Sequence, residues 1–226
     1  MGQVPSGVRS YLWRDDFADG DFTRSPTWQH RGGTVWVDEQ KRLRSRVAAV
    51  GQGQAGRSVS QEDLPLVIIG AILGQGLGGN SDRTSPSGTT DRAHVELAQS
   101  IPGNFRVRTT LIAYEPRGQF QISLLGAREL EHRALRVTLD NRQMRVAIIG
   151  GDGTVLAQSA VTTRSNTPSL DGLEWRQDTT GIMTVTLDGT RILSKTLPRS
   201  AAGYNSLRLS NFLGDFAVDY VEVGRT

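Results

Sequence analysis

Met183-Thr-Val-Thr-Leu-Asp-Gly-Thr-Arg-Ile-Leu193, Ser206-Leu-Arg-Leu-Ser-Asn-Phe212 and Gly214-Asp-Phe-Ala-Val-Asp-Tyr-Val-Glu-Val223 close the chain, and their period decides its fold. Apolar and polar residues alternate in each run, and a turn signal ends each, which is the pattern of half-buried antiparallel strands joined by short connections. Asp188-Gly189 marks a tight hairpin turn, with Met183, Val185 and Leu187 sharing the inward face of the strand before it. Working back, Leu173-Glu-Trp-Arg-Gln-Asp places Leu173 and Trp175 on one face in the same way.

The rest of the chain repeats this grammar. Strand patterns occur at Tyr11-Leu-Trp-Arg-Asp-Asp-Phe, around the Asp38-Glu-Gln-Lys41 turn, and at His94-Val-Glu-Leu-Ala-Gln, Phe105-Arg-Val-Arg-Thr-Thr-Leu-Ile-Ala-Tyr and Phe120-Gln-Ile-Ser-Leu-Leu. Leu135-Arg-Val-Thr-Leu, Met144-Arg-Val-Ala-Ile-Ile and Val155-Leu-Ala-Gln follow, punctuated by Asp140-Asn141 and Gly150-Gly-Asp-Gly153. About a dozen strands with no long helical period predict an all-β, two-sheet antiparallel sandwich of the jelly-roll kind. One segment departs from it. Ser60-Gln-Glu-Asp63 resembles a helix capping box while Val67-Ile-Ile is β-branched, so a short helical or irregular insertion is expected around 60–79. A Gly/Ser-rich loop follows at 74–91.

At 226 residues the chain fits one sandwich, and we expect an N-terminal arm over 1–10 and a single domain over 11–226. With no cysteine, disulfides, zinc ribbons, iron–sulfur clusters and cysteine nucleophiles are excluded. The net charge of +3 is far from the dense, clustered charge of a nucleic-acid binder, so no nucleic-acid partner is expected. The apolar run Leu64-Pro-Leu-Val-Ile-Ile-Gly-Ala-Ile-Leu73 is about half the length of a bilayer span, so no membrane span is expected; exposed, it would mediate self-association of a structural subunit. Met1-Gly-Gln-Val-Pro-Ser-Gly7 has neither a basic stretch nor an apolar one, which fits a cytosolic chain or the mature form of an exported one.

Asp15-Asp-Phe-Ala-Asp-Gly-Asp-Phe22 with Trp28, then Glu174-Trp-Arg-Gln-Asp-Thr-Thr-Gly-Ile-Met-Thr-Val-Thr-Leu-Asp-Gly189, then Phe216-Ala-Val-Asp-Tyr-Val-Glu-Val223, resembles the bacterial concanavalin A-like lectin/glucanase domains, including laminin-G-like jelly rolls. The resemblance covers the chain except about 57–92. It implies a glycan-binding or surface-structural domain that is secreted, periplasmic or on the cell surface. The superfamily also holds glycoside hydrolases and lyases, so a glycoside-cleaving enzyme is the alternative.

The retaining glucanases of this superfamily carry Glu-x-Asp-x-Glu or Glu-x-Asp-x-x-Glu on one strand, because nucleophile and acid/base must project from one face about 5 Å apart. This chain has no such run; Glu129-Leu-Glu131 and Asp219-Tyr-Val-Glu222 are the nearest approaches, and the expectation is a non-catalytic domain. The weak catalytic candidates are His94 and Glu96, on one strand face, together with His132 in the manner of the superfamily's 3-keto-glycoside-cleaving members. Arg106 and Arg108 share a face and are candidates for binding an acidic glycan through forked guanidinium contacts, unless neighbouring carboxylates pair with them. Tyr114 and Tyr204, near strand ends, are candidates for stacking on a sugar ring. Asp16, Asp19 and Asp219 offer hard oxygen ligands for a structural calcium ion joining the termini, the alternative being a solvated Asp/Gly turn and no cofactor.

Overall fold

Alternation in the sequence becomes alternation in burial. Over Phe105–Ala113, residues Phe105, Val107, Thr109, Leu111 and Ala113 are buried while Arg106, Arg108, Thr110 and Ile112 face outward. The computed structural model describes residues 11–48, 92–128, 131–163 and 168–226. Among them the strands are β1 (Tyr11–Asp15), β2 (Gln29–His30), β3 (Thr34–Val37), β4 (Leu43–Val47), β5 (Ala93–Ile101), β6 (Phe105–Ala113) and β7 (Arg117–Leu125). They continue with β8 (Arg133–Asp140), β9 (Gln143–Gly150), β10 (Val155–Thr162), β11 (Ser169–Gln177), β12 (Ile182–Leu187), β13 (Thr190–Thr196) and β14 (Tyr204–Arg225). All their pairings are antiparallel. The expected arm at 1–10, the insertion at 60–79, the loop at 74–91 and the apolar run at 64–73 all lie outside the described residues.

The strands form two sheets that share β14. Sheet A runs β13-β12-β11-β6-β14-β4-β3, with β1 beside β4 along the same flank of β14; sheet B runs β10-β9-β8-β7-β14-β5-β2. The first half of β14 pairs with β5 and β7, and its second half with β6, β4 and β1. The two runs Ser206–Phe212 and Gly214–Val223 are therefore one bent strand. A local clip makes the bend. The buried Asn211 amide donates to the carbonyls of Ser45 (3.0 Å) and Gly214 (2.9 Å), and its carbonyl oxygen accepts the Leu213 N–H (3.0 Å). Gly214 sits at φ 91°, and a Cβ there would meet the Arg117 carbonyl at 2.7 Å, so the corner needs glycine both for its dihedral and for its space.

Side chains from both sheets fill the space between them, including Val95, Phe105, Ile122, Leu135, Val146, Trp175, Val185, Leu207, Phe216 and Val223. Phe105 packs edge-on against Trp175 (5.0 Å between centroids) and against Tyr204 (5.7 Å), which ties sheet A to β14 as it enters from sheet B. The hairpin turns are those the sequence specifies: Asp188 (φ 51°) and Gly189 (φ 75°) both take positive φ between β12 and β13, as a two-residue primed turn requires.

Candidate functional site

The core claims one face of each sheet-B strand, so the opposite residues form the outer face in registered rows. One row crosses Gln29, Glu96, Arg208, Ser123 and Ala134; the next crosses His94, Ser210, Gln121, Arg136, Ala147 and Gln158. The second row spans six strands, about 24 Å at the usual interstrand spacing.

Two hydrogen-bonded groups order this face. Glu96 accepts from the Arg208 guanidinium through Nη2 (2.6 Å) and Nε (3.0 Å) and from the Ser206 hydroxyl (2.7 Å). Across β14, Arg136 donates its Nε–H to the Gln121 carbonyl oxygen (3.1 Å), and the Gln121 amide donates to Ser123 Oγ (2.9 Å). Burial works against the Glu96 charge, but the hydrogen bonds from Arg208 and Ser206 outweigh it and hold the carboxyl below its ordinary range. His94 is held below its ordinary range first by burial and then by the charges of Arg208 and Arg92. Its Nδ1 is buried with no partner among the described residues.

A pH dependence follows. The folded protein keeps His94 neutral, whereas the unfolded chain takes up a proton near pH 6.5, so stability is complete above that pH and declines as pH falls toward the lowered folded value. Denaturant melts from about pH 8 down to about pH 5 will show this decline in the parent protein and a shallower one in His94→Gln. Equal declines in both proteins would contradict the assignment.

The residues singled out in the sequence are placed differently from that expectation. Arg106 and Arg108 lie on the outer face of sheet A, where β14 and β11 bring carboxylates beside them. Arg108 Nε donates to Glu174 (2.6 Å), and Arg106 reaches Glu222 at 3.6 Å, as does Arg14 from β1 at 3.8 Å. These arginines form an ion-pair ladder rather than an open cationic surface. The Tyr114 ring is packed under the Arg44 guanidinium (4.0 Å to the centroid), which in turn is forked onto Asp215 at 2.9 and 2.7 Å. Tyr204 is 1% exposed against Phe105, and burial pushes its hydroxyl up to about 12, so its ring offers no face to a sugar.

His94 and Glu96 do share a face, but His132 does not join them. It stands before β8 with Nε2 on the Gly126 carbonyl (3.3 Å), and the registers put it roughly 19 Å from His94, three strand spacings across and four residues along. Asp16 and Asp19 each accept a backbone N–H two residues on, from Ala18 (3.3 Å) and Asp21 (3.0 Å), while Asp219 is exposed on β14. Among the described residues, no three acidic or histidine side chains gather in a way that could hold a metal ion. Glu129 lies outside the described residues.

Among the described residues this arrangement offers hydrogen-bond donors and acceptors and brings no two unpaired carboxylates together. Glu96 meets Gln29 and Arg208 in its register and Ser123 beyond, so among the described residues no second carboxylate faces it across the sheet. Three consecutive outward residues at the centre of β7, the middle strand of sheet B, have the i, i+2, i+4 spacing of a Glu-x-Asp-x-Glu run, yet they are Gln119, Gln121 and Ser123. On sheet A, Glu174 and Glu222 flank Arg108, whose side chain occupies the space between them. Gln121 and Ser123 were missed in the sequence because neutral polar residues on an outward face carry no chemical signal until their neighbours are known.

No family model matches the sequence, and no curated protein matches it. Solved structures do match in fold. An endo-acting O-glycanase structure from the human gut microbiota superposes with a TM-score of 0.61 at 11% identity, covering 95% of this chain and 99% of that one. The β-glucanase of Bacillus licheniformis gives 0.58 at 8% identity, covering 97% and 100%. The carbohydrate-binding module CBM66 of Bacillus subtilis gives 0.52 at 9% identity, covering 87% and 94%. At such identities the likeness is one of architecture: the chain folds as an antiparallel jelly-roll β-sandwich like theirs.

Proposed function

We propose that this chain is a non-catalytic glycan-binding domain whose ligand lies along the outer face of sheet B. The observation that carries the reading is the composition of that face. It presents His94, Gln121, Arg136 and Gln158 along one row, with the buried Ser210 and Ala147 between them, and the carboxylates Glu96 and Asp140 are already paired, Glu96 with Arg208 and Ser206 and Asp140 with Arg117. Sugar hydroxyls are donors and acceptors at once, and amides, hydroxyls and guanidinium groups match them. Hydrolysis with a carboxylate pair needs separations of about 5–5.5 Å or about 6.5–9.5 Å, and no carboxylate opposes Glu96 in its register among the described residues. The folds of a carbohydrate-binding module and of a β-glucanase support a glycan as the ligand class, and the many extracellular settings of such ligands support an exported location.

The test is a panel of immobilised neutral and acidic polysaccharides, scored for retention of the protein and, in parallel, for release of new reducing ends. Retention without release is expected. Release that disappears in Glu96→Gln would make the chain a glycosidase, and retention by no polysaccharide would remove the glycan reading.

A further inference from the structure

The ion pairs of this protein are unevenly distributed. On sheet A the outward arginines of β4 and β6 have carboxylates beside them: Arg44 and Arg46 with Asp215, Arg106 with Glu222, and Arg108 with Glu174. On the outer face of sheet B, Arg208 is paired with Glu96 and Arg117 with Asp140, but Arg136 on β8 and Arg145 on β9 have no carboxylate partner within ion-pair distance among the described residues. Their registers make them diagonal neighbours: Arg136 opposes Ala147, and Arg145 opposes Thr138. Diagonal positions lie about 7–8 Å apart, and like charges at such range repel. Their outward neighbours Gln119, Gln121, Thr138, Ala160 and Gln158 are neutral, and the one carboxylate diagonal to Arg145 in the register, Asp140, is taken by Arg117 (3.2 Å).

Arg136 is also oriented. Its Nε–H is held by the Gln121 carbonyl oxygen, and Gln121 is itself fixed on Ser123, so the plane of the guanidinium is set while both terminal nitrogens remain without a protein partner among the described residues. A planar fork with two free donors and a second cation beside it is the arrangement that recognises a carboxylate or sulfate. An ordinary solvated arginine has no need of a hydrogen-bonded amide fixing its plane.

We infer that the glycan taken at this face is anionic, carrying a uronate carboxylate or a sulfate ester that the two terminal nitrogens of Arg136 grip, with Arg145 as the second cation. This rests on the glycan-binding reading and moves the acidic-glycan site from Arg106 and Arg108, which are paired on sheet A, to the opposite face of the sandwich.

The probes are polygalacturonate for the uronate, chondroitin sulfate for the sulfate and lichenan as a neutral control, each titrated against the full chain and against R136Q, R145Q and R191Q. Arg191 is exposed on β13 with no ion-pair partner among the described residues, so R191Q removes the same charge from the other sheet. Thermal melts confirm that each variant is folded. We expect binding to one or both acidic polymers, weakened ten- to a hundredfold in R136Q as befits the loss of hydrogen bonds to a charged group, several-fold in R145Q and less than twofold in R191Q. Which acidic polymer responds identifies the anion. Equal weakening in R136Q and R191Q, or equal retention by a DNA duplex, would reduce the effect to general charge and overturn the inference. Binding to lichenan alone, unchanged in R136Q, would overturn the inference and leave glycan binding standing, whereas binding to none of the polymers would overturn both.

Discussion

Replacing Trp175 with alanine will cost about 3–5 kcal/mol of folding stability, the range for deleting a buried aromatic ring. Trp175 lies on β11 between β6 and β12, is 1% exposed, and meets Phe105 edge-on at 5.0 Å. Phe105 in turn meets Tyr204, so the cavity left by the indole would loosen the contact through which β14 joins the two sheets. For a domain of this size each kcal/mol moves Tm by about 2–4 °C, so the variant is expected to melt on the order of 10 °C below the parent. Trp175→Phe, which keeps an aromatic ring, should lose far less. If the alanine variant melts within about 2 °C of the parent, Trp175 is not a keystone of the core.

Asn211→Ala is expected to be nearly as damaging, for a different reason. The side chain satisfies two carbonyls, Ser45 and Gly214, and one N–H, Leu213, at the bend. Alanine removes few apolar contacts but leaves three backbone groups to find new partners in a buried corner, and each buried orphan costs about 1–3 kcal/mol. Local relaxation makes such costs less than additive, so we expect about 3 kcal/mol overall. Asn211→Asp keeps the acceptor and loses both donations, and should fall close to alanine. Chemical denaturation of both variants settles the point: a loss below about 1 kcal/mol in both would mean that the backbone holds the corner without the amide.

These two residues also show where sequence reading works and where it stops. Trp175 was legible as core because Leu173, Trp175, Met183 and Val185 obey the period of a half-buried strand, and that period is local. Asn211 was not, because Phe212–Leu213–Gly214 reads equally as a turn between two strands and as a bend within one. Only pairing with β5 and β7 on one side and with β4 and β6 on the other separates the two.

The same limit applied to the binding residues. Alternation correctly put Arg106 and Arg108 on one face, but register alone put Glu222 and Glu174 beside them. Tyr204 carried the marks of a strand-end ring, whereas a shift in register between Tyr204 and Ser206 turns it into the core. Arg136 was visible as one of several strand arginines. Its distinction, an amide that aims it and the lack of a carboxylate beside it, depends on residues 15 positions away and on another strand altogether.

Ligand binding is proposed for the outer face of sheet B and not for sheet A. The most direct measurement is an NMR titration of the isotope-labelled protein with an oligosaccharide cut from whichever polysaccharide retains it. Shifts are expected at Gln119–Ser123, Ala134–Thr138 and Ser206–Ser210, with β6 and β11 silent. Shifts centred on Arg106–Thr110 and Leu173–Arg176, with β7 and β8 unmoved, would contradict the proposal.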